Sequence, residues 1–173
     1  MKLQTFTPDT LAGNVLQEWW LALADNRGDR AELRRAKSAG DAALIPATID
    51  LITRLHGTSV AKHKGGNERI PPIAGLAAHL DTEAEHDILH DPTSFPERMV
   101  QLKGDRPVVS ELRFRRLLRI TERKDLYRPM VRILTLLEGR ANLFELAESM
   151  FWWGPRIRKD WAFAYFPKLP KTA

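Results

Sequence analysis

Residues 7–25 read TPDTLAGNVLQEWWLALAD, and their apolar spacing sets the architecture. Ala12, Val15, Leu16, Trp19, Trp20 and Leu23 recur three and four residues apart, the period of a helix that buries one face. Thr7 is the expected N-cap, and Pro8 suits a first helical position, where its missing N–H costs nothing. Asn26-Arg27-Gly28 should end this helix, and Asp29-Arg30-Ala31-Glu32 reads as a capping box opening a second, short one with Leu33, Arg34 and Arg35.

The same pattern continues outward. A helix is expected over residues 46–55, with Ile49, Ile52 and Leu55 facing inward. Residues 56–69, with Lys62, His63, Lys64, Gly65, Gly66 and Asn67, read as a flexible basic loop closed by Pro71 and Pro72. Ile73, Leu76, Ala77 and Leu80 predict a further helix, and Pro96 opens a short one. Four stretches follow, at about 110–122, 125–138, 142–152 and 155–166. Asp125 is the expected cap of the second, and Asn142 with Glu145 a capping box for the third. Gly154-Pro155 separates the last two, and the tail Pro167-Lys168-Leu169-Pro170 reads as loose. Antiparallel helices with short links predict an all-α protein. Lys103-Gly104-Asp105-Arg106-Pro107 is the expected junction between two small helical-bundle lobes, residues 1–105 and 106–173. Each lobe is small enough to need large core side chains, which five Trp supply.

Composition narrows the function. With 43% hydrophobic and 28% charged residues the chain of 173 is globular. It has no cysteine, so disulfides, thiolate metal sites and a Cys nucleophile are excluded. No apolar run approaches the roughly 18 residues of a membrane span. Met1-Lys2-Leu3-Gln4-Thr5-Phe6 lacks the apolar core of a signal peptide, so a cytoplasmic location is expected. The net charge of +5 is uneven: residues 1–97 hold 10 Lys and Arg against 14 Asp and Glu, residues 98–173 hold 17 against 8. A basic back half suggests an anionic partner, of which nucleic acid is the commonest.

The strongest functional signal is Glu111-Leu112-Arg113-Phe114-Arg115-Arg116-Leu117-Leu118-Arg119-Ile120. At about 100° per residue Phe114, Leu117 and Leu118 share one face, and Arg115, Arg116, Arg119 and Arg123 cluster on the other. Guanidinium forks suit phosphate oxygens, and such contacts are blind to base sequence. The bland alternative is a solvated face partly neutralised by Glu122 and Asp125. Arg34 and Arg35, near Arg30 and Lys37, make a second patch, with Asp29 and Glu32 close by. Arg156, Arg158 and Lys159 follow Trp152-Trp153-Gly154; exposed rings beside Arg could stack on bases, but at least one of these Trp is expected in the core.

His86 and His90, at i and i+4, resemble a metalloprotease pair, but Asp87 stands where the general-base Glu belongs and Asp91-Pro92 ends the helix at once. A surface turn is the simpler reading, and neither metal nor cofactor is expected. No Walker-type loop, nucleophile elbow or Rossmann glycine pattern is present, so no enzyme class is indicated. Two alternatives stand beside a binding protein. One is a DNA-binding regulator, with a helix-turn-helix around residues 138–142, although its second helix is too apolar and acidic to read a groove. The other is a hydrolase using His86 and His90.

Several segments together resemble a known family. Trp19-Trp20-Leu21 followed by Gly28-Asp29-Arg30-Ala31-Glu32-Leu33-Arg34-Arg35 is similar to the front signature of the CasB family, the small subunit of the type I-E CRISPR surveillance complex Cascade. Arg115-Arg116-Leu117-Leu118 resembles its basic helix, and Trp152-Trp153-Gly154 with Arg156 its closing signature. The order holds over roughly residues 10–165, and residues 56–69 sit where the family carries a polar, basic insertion. The middle, residues 70–105, has no matched motif. The resemblance implies two helical lobes. It also implies two copies lying head to tail and contacts to the crRNA-bound backbone subunits and the large subunit. A further implication is a non-catalytic role in stabilising the R-loop by holding the single-stranded, displaced non-target DNA; cleavage would belong to a recruited nuclease-helicase. Arg34, Arg35, Arg115, Arg116, Arg119, Arg156 and Arg158 match the family's basic positions or their neighbours, Arg119 more by its place on the helical stripe.

Overall fold

A computed structural model describes residues 3–171 of the chain. Met1 and Lys2 of the N-terminal run lie outside the described residues. The protein is helical: α1 (Leu11–Asp25), α2 (Arg27–Arg35), α3 (Ala39–Ala43), α4 (Pro46–Arg54), α5 (Ser59–Lys62), α6 (Ile70–Ala77), α7 (Glu85–His90), α8 (Phe95–Val100), α9 (Glu111–Leu118), α10 (Tyr127–Leu136), α11 (Leu143–Phe151) and α12 (Pro155–Tyr165). The exception is a hairpin of two-residue strands, β1 (Leu102–Lys103) and β2 (Arg106–Pro107), paired antiparallel at the expected junction. Packing crosses that hairpin: α8 lies on α12, and α6 lies on α3 and α4 from one side of the sequence and on α10 and α11 from the other.

Helix α6 is the centre. Every residue from Ile70 to Ala77 is buried, as expected of a short helix that is apolar all round. Pro71 and Pro72 sit inside its first turn, where N–H groups have no intrahelical partner, and do not merely end the preceding loop. Helix α11 is also buried throughout, including Glu145, Glu148 and Ser149. Trp19 and Trp20 anchor α1 in the core. Their indole N–H groups donate to the carbonyls of Ala47 and Ala77 at 2.9 and 3.1 Å, which satisfies their polar edges.

Local expectations failed mainly at helix ends. Thr10, not Thr7, caps α1: its hydroxyl accepts from the N–H of Gly13, while Thr7 closes the preceding turn. Asn26 caps α2 by accepting from Asp29, so the helix starts at Arg27 and the Asp29–Glu32 box does not form. Ile49 is exposed, because α4 turns Ala47, Thr48 and Leu51 inward instead. Residues 56–69 are built, not loose: α5 and a 3₁₀ turn at Asn67–Arg69 bury Val60. Asp125 lies in the 3₁₀ turn Arg123–Asp125, and α10 starts without a side-chain cap. Asn142 does cap α11, but Glu145 turns away to accept the N–H of Phe95 at 2.9 Å. The tail is tied down by a 3₁₀ turn at Phe166–Lys168 and by an ion pair between Lys168 and Glu97.

Candidate nucleic-acid interface

Ser110 caps α9, and Phe114 and Leu117 bury its inner face, Phe114 stacking on Tyr165 with ring centroids 3.8 Å apart. The arginine stripe expected on the outer face divides because the helix stops at Leu118. Arg119 becomes the C-cap residue and Arg123 falls in the following 3₁₀ turn. Arg115 is held by Glu111 at 2.7 Å and lies over the Phe166 ring at 4.9 Å. Arg116 faces the other way with Arg113, one helical turn before it, and both line an open groove of about 600 Å³ between α9 and α10. Its floor includes Leu117 and Ile120, and Arg132 of α10 completes the rim. Arg113, Arg116, Arg119 and Arg132 make no ion pair among the described residues.

The second patch survives in part. Arg34 and Arg35 are exposed in the last turn of α2, again without an ion pair among the described residues. Arg30 instead supports the fold. It donates to the carbonyls of Ala78 and Leu80, both at 3.1 Å, and so satisfies the end of α6. Arg34 lines a second, smaller pocket of about 240 Å³ with Arg30, His79 and Thr135. Thr135 also lines the α9–α10 groove, so the two openings lie on either side of Thr135 on the C-terminal half of α10. The fold thus joins two arginine clusters about eighty residues apart in sequence.

Three other candidates are placed differently. Arg123 is half-buried, donating to the carbonyl of Phe151 at 3.3 Å; Arg69 donates to the same carbonyl at 3.1 Å. Burial, then the charge of Arg69, lowers the Arg123 pKa. Arg158 donates to the carbonyl of Leu118 at 3.2 Å and so satisfies the end of α9. Both are helix-end supports more than free cations. Arg156 is exposed, with Asp160 3.9 Å away, and Lys159 is exposed beside Phe163. Neither Trp152 nor Trp153 is free to stack on a base. Trp153 is buried and donates to Ile120, while Trp152 donates to Thr5 and packs against His63.

The alternatives find little support in the geometry. His86 and His90 are exposed with ring centroids 5.1 Å apart, and among the described residues no three His, Asp or Glu side chains come together to hold a metal ion. Helix α11, the candidate reading helix, is wholly buried and has no face for a DNA groove. Among the described residues no helix is long and apolar enough to cross a membrane. Sequence reasoning missed Arg113, Arg132 and His79. The i, i+3 spacing of Arg113 and Arg116 was a usable signal; Arg132 and His79 join only through tertiary packing.

A helical scaffold that gathers arginines from α2, α9 and α10 on its surface defines a class of small, all-α proteins. The family model for CRISPR-associated protein Cse2 (CRISPR_cse2) matches residues 29–166, and the chain belongs to that family. The fold is similar to that of a chain in the crystal structure of E. coli Cascade bound to a PAM-containing dsDNA target. The two are 18% identical, 97% of each chain is covered, and the TM-score is 0.67. No curated protein matches the sequence.

Proposed function

We propose that this protein is a non-catalytic small subunit of a Cascade-type CRISPR complex that holds the displaced, single-stranded DNA across α9, α10 and α2. The observation that carries the reading is that the Arg116 groove and the Arg34 pocket flank the same residue, Thr135, and that Arg116 and Arg34 make no ion pair among the described residues. A displaced strand has no fixed sequence, so a path of guanidinium groups suits it better than a base-reading groove. Holding it makes reannealing less favourable and tips a nearly balanced strand exchange toward the open loop. Arg35, Arg115, Arg119, Arg156 and Lys159 extend the cationic surface. The expected partners are crRNA, the backbone and large subunits, and a second copy of the chain, in the cytoplasm. Residues 1–105 and 106–173 serve in this reading as two lobes sharing one core.

The test is fluorescence anisotropy of labelled single- and double-stranded DNA over a salt series, for wild type, Arg34→Glu and Arg116→Glu. The expected result is sequence-blind binding, no weaker for single strands than for duplex. Each substitution should reduce the steepness of log affinity against log salt by about 0.7, the share of one single-strand phosphate contact. Unchanged binding in both variants would overturn this path, and tight sequence-selective duplex binding would favour a regulator.

A further inference from the structure

The last turn of α2, the end of α6 and the α10–α11 turn enclose the 240 Å³ pocket, and its wall is held in place. The N–H of Asp81 donates to the carbonyl of Gly139 at 3.0 Å. Gly139 has φ +74°, and a Cβ there would come within 2.6 Å of the His79 carbonyl oxygen. Glu138 beside it has φ 55°, a conformation that non-glycine residues seldom adopt. The pocket is therefore bound on one side by a backbone clasp, not by a mobile chain.

Two cations and two carboxylates line it, and each carboxylate also has a cation outside the pocket: Asp81 lies 3.9 Å from Arg140, which is nearer to Asp87 at 3.2 Å, and Glu138 lies 3.6 Å from Lys103. Arg34 has no hydrogen-bond or ion-pair partner among the described residues, and Arg30 is anchored beside it by two carbonyls. His79 also lines the pocket, and its Nε2 is buried without a hydrogen-bond partner among the described residues.

We infer that this pocket is a subsite for one phosphate group, gripped by Arg34 and Arg30, and that His79 takes up a proton when the subsite fills. As a subsite for a DNA strand it rests on the proposed strand-holding function. The physical reason is linkage. Burial, then Arg34, then Arg30 push the His79 pKa down to about 4, so the empty pocket keeps the ring neutral. An anion between the two guanidinium groups offsets their fields and leaves burial as the main opposing cause. The ring becomes easier to protonate without any direct bond to the anion. By reciprocity, protonation of His79 strengthens anion binding. Asp81, which shares Arg140 with Asp87, and Glu138, beside Lys103, line the pocket with and without the anion and do not reverse the sign.

The experiment is an NMR titration of the His79 ring in the full chain, assigned with His79→Gln, using two probes. Sulfate keeps its charge over the range and tests the subsite alone; oligo(dT) tests the strand. Saturation with either should raise the His79 pKa by about one unit, equivalent to about tenfold tighter binding to the protonated form. Arg34→Gln, folded by its amide spectrum, should abolish the shift. If oligo(dT) binds with the expected salt dependence while neither probe moves His79, the subsite is overturned and the strand reading stands. If sulfate moves His79 but oligo(dT) does not bind, the subsite is upheld as an anion site and the strand reading falls. If neither probe binds, both fall.

Discussion

Glu148 and Phe6, 142 residues apart, are joined in the core: the carboxylate accepts the N–H of Phe6 at 2.9 Å. The same side chain accepts from Gln4 and Thr5, both at 3.0 Å, and is fully buried. One ionisable group thus ties the start of the chain to α11. Glu148→Ala would leave the buried N–H groups of Thr5 and Phe6 unsatisfied, and an expected loss of about 3 kcal/mol follows from their desolvation. Urea denaturation measures it; a loss below about 0.5 kcal/mol would show that the clamp is idle.

The arginines separate into two structural kinds, exposed and helix-end-bound, which paired substitutions tell apart. Arg158→Ala frees the partly buried Leu118 carbonyl and should lower stability by about 1 kcal/mol. Arg116→Ala removes an exposed side chain and should change stability by less than about 0.5 kcal/mol. Strand affinity should respond in the opposite order. Thermal melts beside anisotropy would show whether the two effects separate.

Gly139 has no acceptable replacement. Gly139→Ala meets both a positive φ and the His79 carbonyl oxygen, and should cost at least about 1–3 kcal/mol. A circular-dichroism melt unchanged from wild type would contradict the close packing of the 138–139 turn.

Glu145 makes stability fall with rising pH. Burial raises its pKa to about 7 from the ordinary value of 4.5, against the lowering effect of the Phe95 N–H. The folded state therefore holds a proton that the unfolded state releases between these values. The stabilisation is complete below pH 4.5 and lost as pH climbs to about 7. The swing is of order 3 kcal/mol. Glu145→Gln keeps an acceptor for Phe95 and should flatten this part of the pH–stability profile while raising stability at pH 8. An unchanged slope in the variant would exclude Glu145 as its source.

Much of the helical plan was legible. The apolar period placed α1, α4 and α9 to α12, and Trp153 proved to be the expected buried Trp. Helix α3 escaped because five residues with small side chains show no period. The site was legible as residue types, not as geometry. Arg116 and Arg158 look alike in sequence, yet one edges an open groove and the other satisfies a helix end. That difference depends on where α9 stops and which carbonyls it leaves bare. Residues 56–69 look loose by composition, but Thr58 caps α5 and Gly66 fits against the Val60 carbonyl.

The position of α6 has a consequence during synthesis. Half of its surroundings, α10 and α11, end at Phe151, so residues 70–77 leave the ribosome with only the preceding helices, α1 to α4 among them, available to cover them. An entirely apolar segment then waits some seventy residues for its remaining partners, long enough at cellular elongation rates to meet a chaperone. The nascent chain is most vulnerable to aggregation in that interval, and slower translation upstream of α10 would prolong it.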